Sequence, residues 1–402
     1  VTDHKLSDIE MTAFVIGLHT HGLSITEAKN MSEAMTRGGQ QLRFGNKAIF
    51  DKHSIGGCPG DKTSMMLVPI IASAGMTIPK TSSRSITSPA GTADKMECMC
   101  PVDLSIDDIR RVVKKTSGCL VWGGAVNLSP ADDLFIKIEY PLCIDPLLLP
   151  SVMSKKKAVG AKYLVIDIPT GMGDKIKAPS EAQELGYKFI QLGREMGIKV
   201  NCVSSFGGQP IGYGIGPALE AREALATISR ANRQVPWDLM GKVFHIASHL
   251  MAFKGISNGE DKALQLWKTG KAEKKLREII AAQGGDPKIK PSDIPIGNHV
   301  ASVASAKNGK VLWINNKVII QLAREAGAPK DKGAGILLHR KLNSNVKKGD
   351  KLFEIYAEKG YKLTSALKLA NSLDAFGVGD SHEMVYADIP RDKEEREFML
   401  ER

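Results

Sequence analysis

The sequence is poor in aromatic side chains: Phe, Trp and Tyr together make up 5% of it. Few stacking side chains argue against a surface built for single-stranded nucleic acid. No apolar run reaches membrane-spanning length and no signal peptide is recognisable, so no membrane partner is expected. The six cysteines contain no C-x-x-C pair. Cys98-x-Cys100 has neither a second pair nor nearby histidines, which argues against zinc. Without a disulfide framework the chain reads as reduced and cytoplasmic. No cluster of metal-ligating residues is visible either, and no metal or other cofactor is expected.

What is there begins with size and charge. A chain of 402 residues has room for two or three domains. The formal net charge is +11, spread along the chain and not gathered in one arm. That distribution favours a small anionic substrate, or plain solubility, over specific nucleic-acid binding.

One stretch organises the rest: Asp51-Lys52-His53-Ser54-Ile55-Gly56-Gly57-Cys58-Pro59-Gly60-Asp61-Lys62-Thr63-Ser64. It lies between two apolar runs and reads as strand, glycine turn, helix. Such a turn gathers backbone N–H groups and a helix N-terminus at one point, which suits phosphate. It is not a Walker A loop, because Asp61 stands where that loop has glycine before Lys-Thr. On this stretch alone, a tight turn with solvated lysines is equally good. A second stretch, from Lys80 to Glu97, packs hydroxyls and one arginine behind another short strand and opens toward a helix at Gly91-Thr92. Hydroxyls are good neutral donors to phosphate oxygens. A serine-rich linker would not end in a helix entry directly after a strand, so the pair of stretches favours anion binding.

Capping boxes at Ser7–Glu10 and Ser24–Glu27 predict two short N-terminal helices, the first stopping at Gly22 and the second at Gly38-Gly39. Val1 leads almost at once into the first, so a start upstream of it is expected. Strand, glycine turn and helix then alternate: strands at 48–51, near Thr77, and at 119–122; helices at 63–74 and 107–116. Leu134 to Ile144 is apolar with interspersed charge, and a helix is expected from Ser151, just after Pro150. Tyr163 to Ile168 reads as a buried strand followed by the glycine turn 169–175. A helix (180–197), a strand (198–204), a glycine-rich segment (206–216) and four further helices follow. From about Ser292 the texture changes to short strands with one helix at 318–326. This is an α/β pattern, whose ligands bind outside the carboxyl ends of strands. His339 and His382, in the last part, read as surface residues.

The run Asp51-Lys52-His53-Ser54-x-Gly56-Gly57, with Ser82-Ser83-Arg84 and Ala90-Gly91-Thr92-Ala93-Asp94-Lys95-x-Glu97, resembles the signature of the thymidine phosphorylase (pyrimidine nucleoside phosphorylase) family. It is most similar to that family's archaeal nucleotide branch, the AMP phosphorylases, and the likeness covers nearly the whole chain. The resemblance implies three parts: a small helical domain (1–40 and 128–158), a large α/β domain with a central mixed sheet (46–125 and 160–290), and a C-terminal α+β domain (292–402). It implies a pentosyltransferase that uses inorganic phosphate as co-substrate, without a cofactor, and that pairs as a homodimer through the helical domain.

The resemblance also assigns roles. Lys52, Ser54, Ser64, Ser82 and Thr92 match the phosphate clamp. Gly57 and the run Ser83, Arg84, Ser85, Ile86, Thr87, Ser88 match nucleotide contacts, and Thr92 serves there too. Asp145 matches the proton donor, which would need burial to raise its pKa. Ser151 and Lys175 match substrate contacts, and Lys155 matches the lysine that meets the base in the pyrimidine enzymes. His53 faces sugar or base, or holds the loop; both remain open. The arginine and tyrosine that grip a pyrimidine are replaced by Ile138 and Phe135. The hydroxyl-rich run suits a second, 5′ phosphate. The expected reaction is phosphorolysis of a nucleoside 5′-monophosphate, AMP first, with CMP and UMP next, giving free base and ribose 1,5-bisphosphate. The competing readings are a pyrimidine nucleoside phosphorylase, an anthranilate-type phosphoribosyltransferase and a non-catalytic nucleotide-binding protein. The extra N-terminal domain usual in the nucleotide branch is expected to be missing, which bears on assembly and not on the chemistry. Hinges for lobe closure are expected at 39–46, 123–127 and 157–162.

Overall fold

The computed structural model describes residues 1–2, 5–85, 88–232 and 234–380. Ser7 and Ser24 each accept a hydrogen bond from the N–H three residues on, while Glu10 and Glu27 reach back to the cap N–H. These reciprocal caps start α1 (Asp8–His21) and α2 (Ile25–Arg37), as their spacing predicts. Both helices pack with α6 (Pro130–Leu142) and α7 (Leu148–Ala158). Val15, Met35, Ala131, Phe135 and Leu147 form their shared core. The helix expected to follow Pro150 in fact begins at Leu148. Pro150 is its third residue, in the first turn, where a missing N–H breaks no helical hydrogen bond.

Between these helices run β1 (Phe50–Ser54), α3 (Thr63–Ser73), β2 (Ile78–Ser82), α4 (Thr92–Met96), α5 (Ile106–Thr116) and β3 (Gly118–Trp122). After them come β4 (Tyr163–Thr170), α8 (Pro179–Met196), β5 (Lys199–Phe206), β6 (Gly214–Ile215) and the helices α9 (Pro217–Ile228), α10 (Trp237–Ala252), α11 (Gly259–Lys268) and α12 (Lys271–Ala282). β1 pairs with β4, β4 with β5, and β2 with β3. A bridge at Ile49–Thr77 joins the two groups. The order is therefore β3-β2-β1-β4-β5. A mixed sheet was expected here, but every described pairing among these five strands is parallel. Parallel pairing follows from the crossover helices that separate consecutive strands.

Such a sheet is covered on both faces, and its strand β4 is buried from Leu164 to Thr170. Leu164, Val165, Ile166 and Ile168 of β4 are all buried. On one face lies α3, apolar all round because it is surrounded by α10, α11 and α12. On the other, Phe189, Leu192 and Met196 of α8 close over β4 with Val152 and Met153 of α7. Each such fully buried side chain contributes about 1.5–3 kcal/mol. Strand order reverses between β1 and β4, and an open α/β sheet forms its ligand crevice outside the strand ends at such a reversal.

The last part holds β7 (His299–Ala304), β8 (Gly309–Ile314), α13 (Asn316–Glu325), β9 (Gly335–Leu338), β10 (Asn345–Val346), β11 (Lys351–Ala357), α14 (Gly360–Ser372) and β12 (Phe376–Gly379). Its pairings are antiparallel and its core is separate. β6 joins the edge of this sheet through β9, which ties the two parts together. One helix was expected here and two are present among the described residues; α14 sets Leu363, Ala366, Leu367 and Ala370 on the core at the helical i, i+3, i+4, i+7 spacing. His339, just after β9, pairs with Glu354 of β11 at 3.0 Å. His382 lies outside the described residues. Among the described residues no helix is long and apolar enough to cross a membrane.

Candidate active site

The carboxyl ends of β1, β2 and β3 open into one cleft of about 190 Å³. β1 supplies Lys52, His53 and Ser54, and β2 supplies Lys80, Thr81 and Ser82. Ser64 comes from the first turn of α3 and Thr92 from the start of α4. Trp122, Gly123 and Gly124 close one side, while Asp133, Lys155 and Lys156 reach in from the helical part. All five residues expected in the phosphate clamp therefore line one cleft, with His53, Ser83 and Lys155 beside them.

Two backbone features bring the loops this close. Gly60 has φ 77°, and a Cβ there would stand 2.5 Å from the Ile211 carbonyl oxygen, so only glycine fits. A Cβ on Gly91 would meet the Ser83 and Arg84 backbone at 2.5–2.6 Å, which lets α4 start against the 83–91 loop.

The cleft is rich in lysine and internally braced. Lys52 is 2% exposed and sits 3.5 Å from Asp167 and 3.6 Å from Asp61. Lys242 pairs with Asp167 at 2.8 Å. Burial opposes the charge on Asp61, but Lys242 and Lys52 overcome it and hold that carboxyl well below its ordinary range. Lys156 pairs with Asp51 at 2.7 Å and Lys155 with Asp132 at 2.5 Å. Beneath the glycine turn, the buried Lys62 ammonium bonds Glu223 at 2.8 Å and the Ile211 carbonyl at 2.9 Å, fastening the turn to the 207–216 segment. Lys95 does the same from α4, reaching Glu220 at 2.6 Å and the Asp61 carbonyl at 2.7 Å. Burial, then the ammonium groups of Lys156, Lys80, Lys155 and Lys52, push the His53 pKa well down. His53 is thus a neutral imidazole at pH 7, able to donate from one nitrogen and accept at the other.

Other expected residues lie elsewhere. Arg84 is not free for a ligand: it makes a two-pronged bond with Glu97 at 2.7 and 2.8 Å and meets Asp94 at 3.3 Å. Its bond holds the Glu97 carboxyl down at about 2. Asp94 also accepts from the N–H groups of Ser85 and Gly91, so it shapes the loop that carries Ser83, Ser85 and Ser88. Ser85 donates to the Ser88 carbonyl. Ile86 and Thr87 lie outside the described residues.

Asp145 and Lys175 form a second group. They bond each other at 2.7 Å, each more than a third exposed, and neither lines the cleft. Burial does not surround Asp145 as the expected proton donor requires. Ser151 does not line the cleft, and its hydroxyl accepts from the Lys155 ammonium at 3.5 Å. Gly57 connects the two groups: a Cβ there would lie 3.3 Å from the Lys175 N–H and 3.1 Å from an oxygen of Asp174.

Several residues of the site carry no signal of their own in the sequence. Lys80, Lys156 and Asp61 line the cleft, as do Trp122, Ser129 and Asp133. Asp174, one residue before Lys175, has both carboxylate oxygens buried without a partner. Burial, with Asp167 and Asp61 nearby and Lys242 opposing, raises its pKa to about 7. Glu139 is likewise raised to about 7, by burial first and by Asp145 and Asp132 next. Its spacing from Phe135, one helical turn, was the available hint that both face inward. Among the described residues no cluster of His, Cys, Asp or Glu is arranged to hold a metal ion.

Comparison with known proteins adds the following. Residues 46–176 match the model of the glycosyl transferase family a/b domain, and residues 311–373 that of the pyrimidine nucleoside phosphorylase C-terminal domain. The AMP phosphorylase of Thermofilum pendens is 48% identical over 379 residues, covering 94% of this chain and 74% of that protein. The AMP phosphorylase of Thermococcus kodakarensis is 48% identical over 383 residues, covering 94% and 76%. Among solved structures, anthranilate phosphoribosyltransferase from Thermus thermophilus superposes with a TM-score of 0.60 at 15% identity, over 70% of this chain and 92% of that one. The Saccharomyces cerevisiae anthranilate phosphoribosyltransferase, with PRPP and Mg, gives 0.54 at 14% identity, over 70% and 89%. At that identity the likeness concerns the fold alone.

Proposed function

Because the chain belongs to the AMP phosphorylase family and is a pentosyltransferase, we propose that it splits a nucleoside 5′-monophosphate with inorganic phosphate, releasing the base and ribose 1,5-bisphosphate. AMP is the first substrate, and CMP and UMP are further ones. The observation that carries this reading is the convergence of Lys52, Ser54, Ser64, Ser82 and Thr92 on one lysine-rich cleft.

In this reading those five residues hold phosphate below the anomeric carbon. Fixing the nucleophile in line removes much of the entropic barrier. Lys52, held loosely between two carboxylates, keeps ammonium protons for the incoming oxygens. As the C–N bond lengthens, positive charge grows on the sugar ring and the bound dianion faces it. The N–H groups and hydroxyls of the 83–88 loop take the 5′ phosphate, with Arg84 bracing that loop through Glu97 and not touching the ligand. Gly57 lets the nucleotide approach the turn. Neutral His53 contacts the sugar, and Lys155, Ser151 and Lys175 contact the nucleotide from the other side. Asp145 gives a proton to the departing base. No cofactor takes part.

The Asp145–Lys175 group stands outside the cleft, so the two lobes close on substrate, hinging at 39–46, 123–127 and 157–162. Closure removes water from Asp145 and supplies the burial that a proton donor needs. A second copy of the chain covers the face of α1 and α6, where Ile9, Phe14, Ile16, Tyr140 and Leu142 are exposed. The six free cysteines suit the cytoplasm.

The test is the fate of the phosphorus. AMP incubated with ¹⁸O-labelled phosphate should yield ribose 1,5-bisphosphate with the label on the C1 phosphate, read by mass spectrometry. Unlabelled ribose 5-phosphate would make the enzyme a hydrolase and end this reading.

A further inference from the structure

Every lysine that lines the cleft faces a carboxylate, with one exception. Lys52 has Asp61 and Asp167, Lys155 has Asp132, and Lys156 has Asp51. Lys80, near the end of β2, is 6% exposed and has no carboxylate within 4.0 Å among the described residues. Its ammonium donates to the Thr81 carbonyl at 2.7 Å. The groups around it are mostly cations. β1 brings Asp51, Lys52 and neutral His53; α7 brings Lys156, with Lys155 beyond His53; β3 brings the buried Cys119 thiol. The one nearby carboxylate, Asp51, is already bonded to Lys156.

A buried ammonium without a counter-charge is costly, and a methionine or leucine would fill the same space more stably. Two residues further along β2, the Ser82 hydroxyl is buried with no hydrogen-bond partner. A lysine without a carboxylate and an unused hydroxyl therefore stand together on the floor of one cleft.

We propose that Lys80 is a further phosphate-binding residue: its ammonium, with the Ser82 hydroxyl, takes the inorganic phosphate dianion, which supplies the counter-charge that the protein withholds. This rests on the reading of the cleft as a phosphate site. Burial, then Lys156 and Lys52, press the Lys80 pKa well below its ordinary value in the free protein. A bound dianion raises it again, so phosphate binding draws a proton onto Lys80.

The experiment is calorimetric titration of the full chain with inorganic phosphate, without nucleotide, at pH 7.5 in two buffers of different ionisation enthalpy. Wild type, Lys80→Met and Lys80→Gln are compared. The expected result is binding at least tenfold weaker in both variants, smaller proton uptake than wild type, and an unliganded Tm equal to or above that of wild type. The difference between proteins cancels the proton that phosphate itself exchanges. Unchanged phosphate affinity overturns the assignment, as does a weakened affinity accompanied by a lowered Tm in both variants, which marks a structural lysine. A tenfold loss confined to AMP binding also overturns it, by moving Lys80 to the other phosphate. Wild type that fails to bind phosphate overturns it too. Wild type that binds phosphate but releases no base from AMP sinks the catalytic reading alone, because Lys80 is tested by binding.

Discussion

In the proposed mechanism the cleft at the ends of β1–β3 and the Asp145–Lys175 pair act as two halves of one site, and they are built to different standards. In the first half, Lys52, Lys62 and Lys156 are almost wholly buried and braced by carboxylates. In the second, the two charged groups are exposed and bond only each other. A phosphate clamp gains from rigidity, since its ligand is small and always the same. A proton donor that must cover and then release a large base gains from standing on the lobe that moves.

The largest effect should come from the Asp145 half. Asp145→Asn is expected to lower kcat by about 10²–10⁴-fold with KM for AMP changed less than threefold. Equal losses in both would make Asp145 a binding residue, and the comparison between halves would fail. Next, Ser82→Ala in the rigid half should raise KM for phosphate about tenfold. It should leave Tm unchanged, because the hydroxyl has no partner in the free protein. A fall in Tm would show that Ser82 serves the fold. Lys175→Met should raise KM for AMP several-fold and move Tm by about 1 °C or less, as an exposed ion pair is worth little.

The smallest effect concerns Asp174, at the junction of the halves. Its carboxyl is raised from an ordinary 3.8 to about 7. The folded chain therefore binds more protons than the unfolded chain between those values, and stability falls as pH rises through that window. Asp174→Asn should gain about 1–3 °C in Tm at pH 8, with the gain vanishing below about pH 4. A gain that persists at pH 4 would assign the effect to packing.

The rigid half was largely legible in the sequence, because a strand, a glycine turn and a helix N-terminus within 51–64 can be assembled locally. Ser64, Ser82 and Thr92 were added by the family resemblance, and the fold places them in the first turn of α3, at the end of β2 and at the start of α4. Lys80 was not legible: what distinguishes it from Lys52 is the absence of a carboxylate, which only the fold reveals. Arg84 shows the converse, since its partner Glu97 is set by how α4 turns back on the loop. Asp174 and Glu139 owe their raised pKa values to burial, which spacing alone does not disclose. In the fold, the start of α7 was missed for a local reason, a proline tolerated in a first turn, whereas α14 was legible from its Leu363, Ala366, Leu367, Ala370 spacing.

The most direct measurement is phosphate-dependent release of base from AMP, CMP and UMP beside adenosine, uridine and thymidine, under one set of conditions. The account predicts release from the nucleotides, AMP fastest, with the nucleosides slower by orders of magnitude. Release from uridine or thymidine with AMP inert would contradict it, and would mean that the 83–88 loop holds no 5′ phosphate.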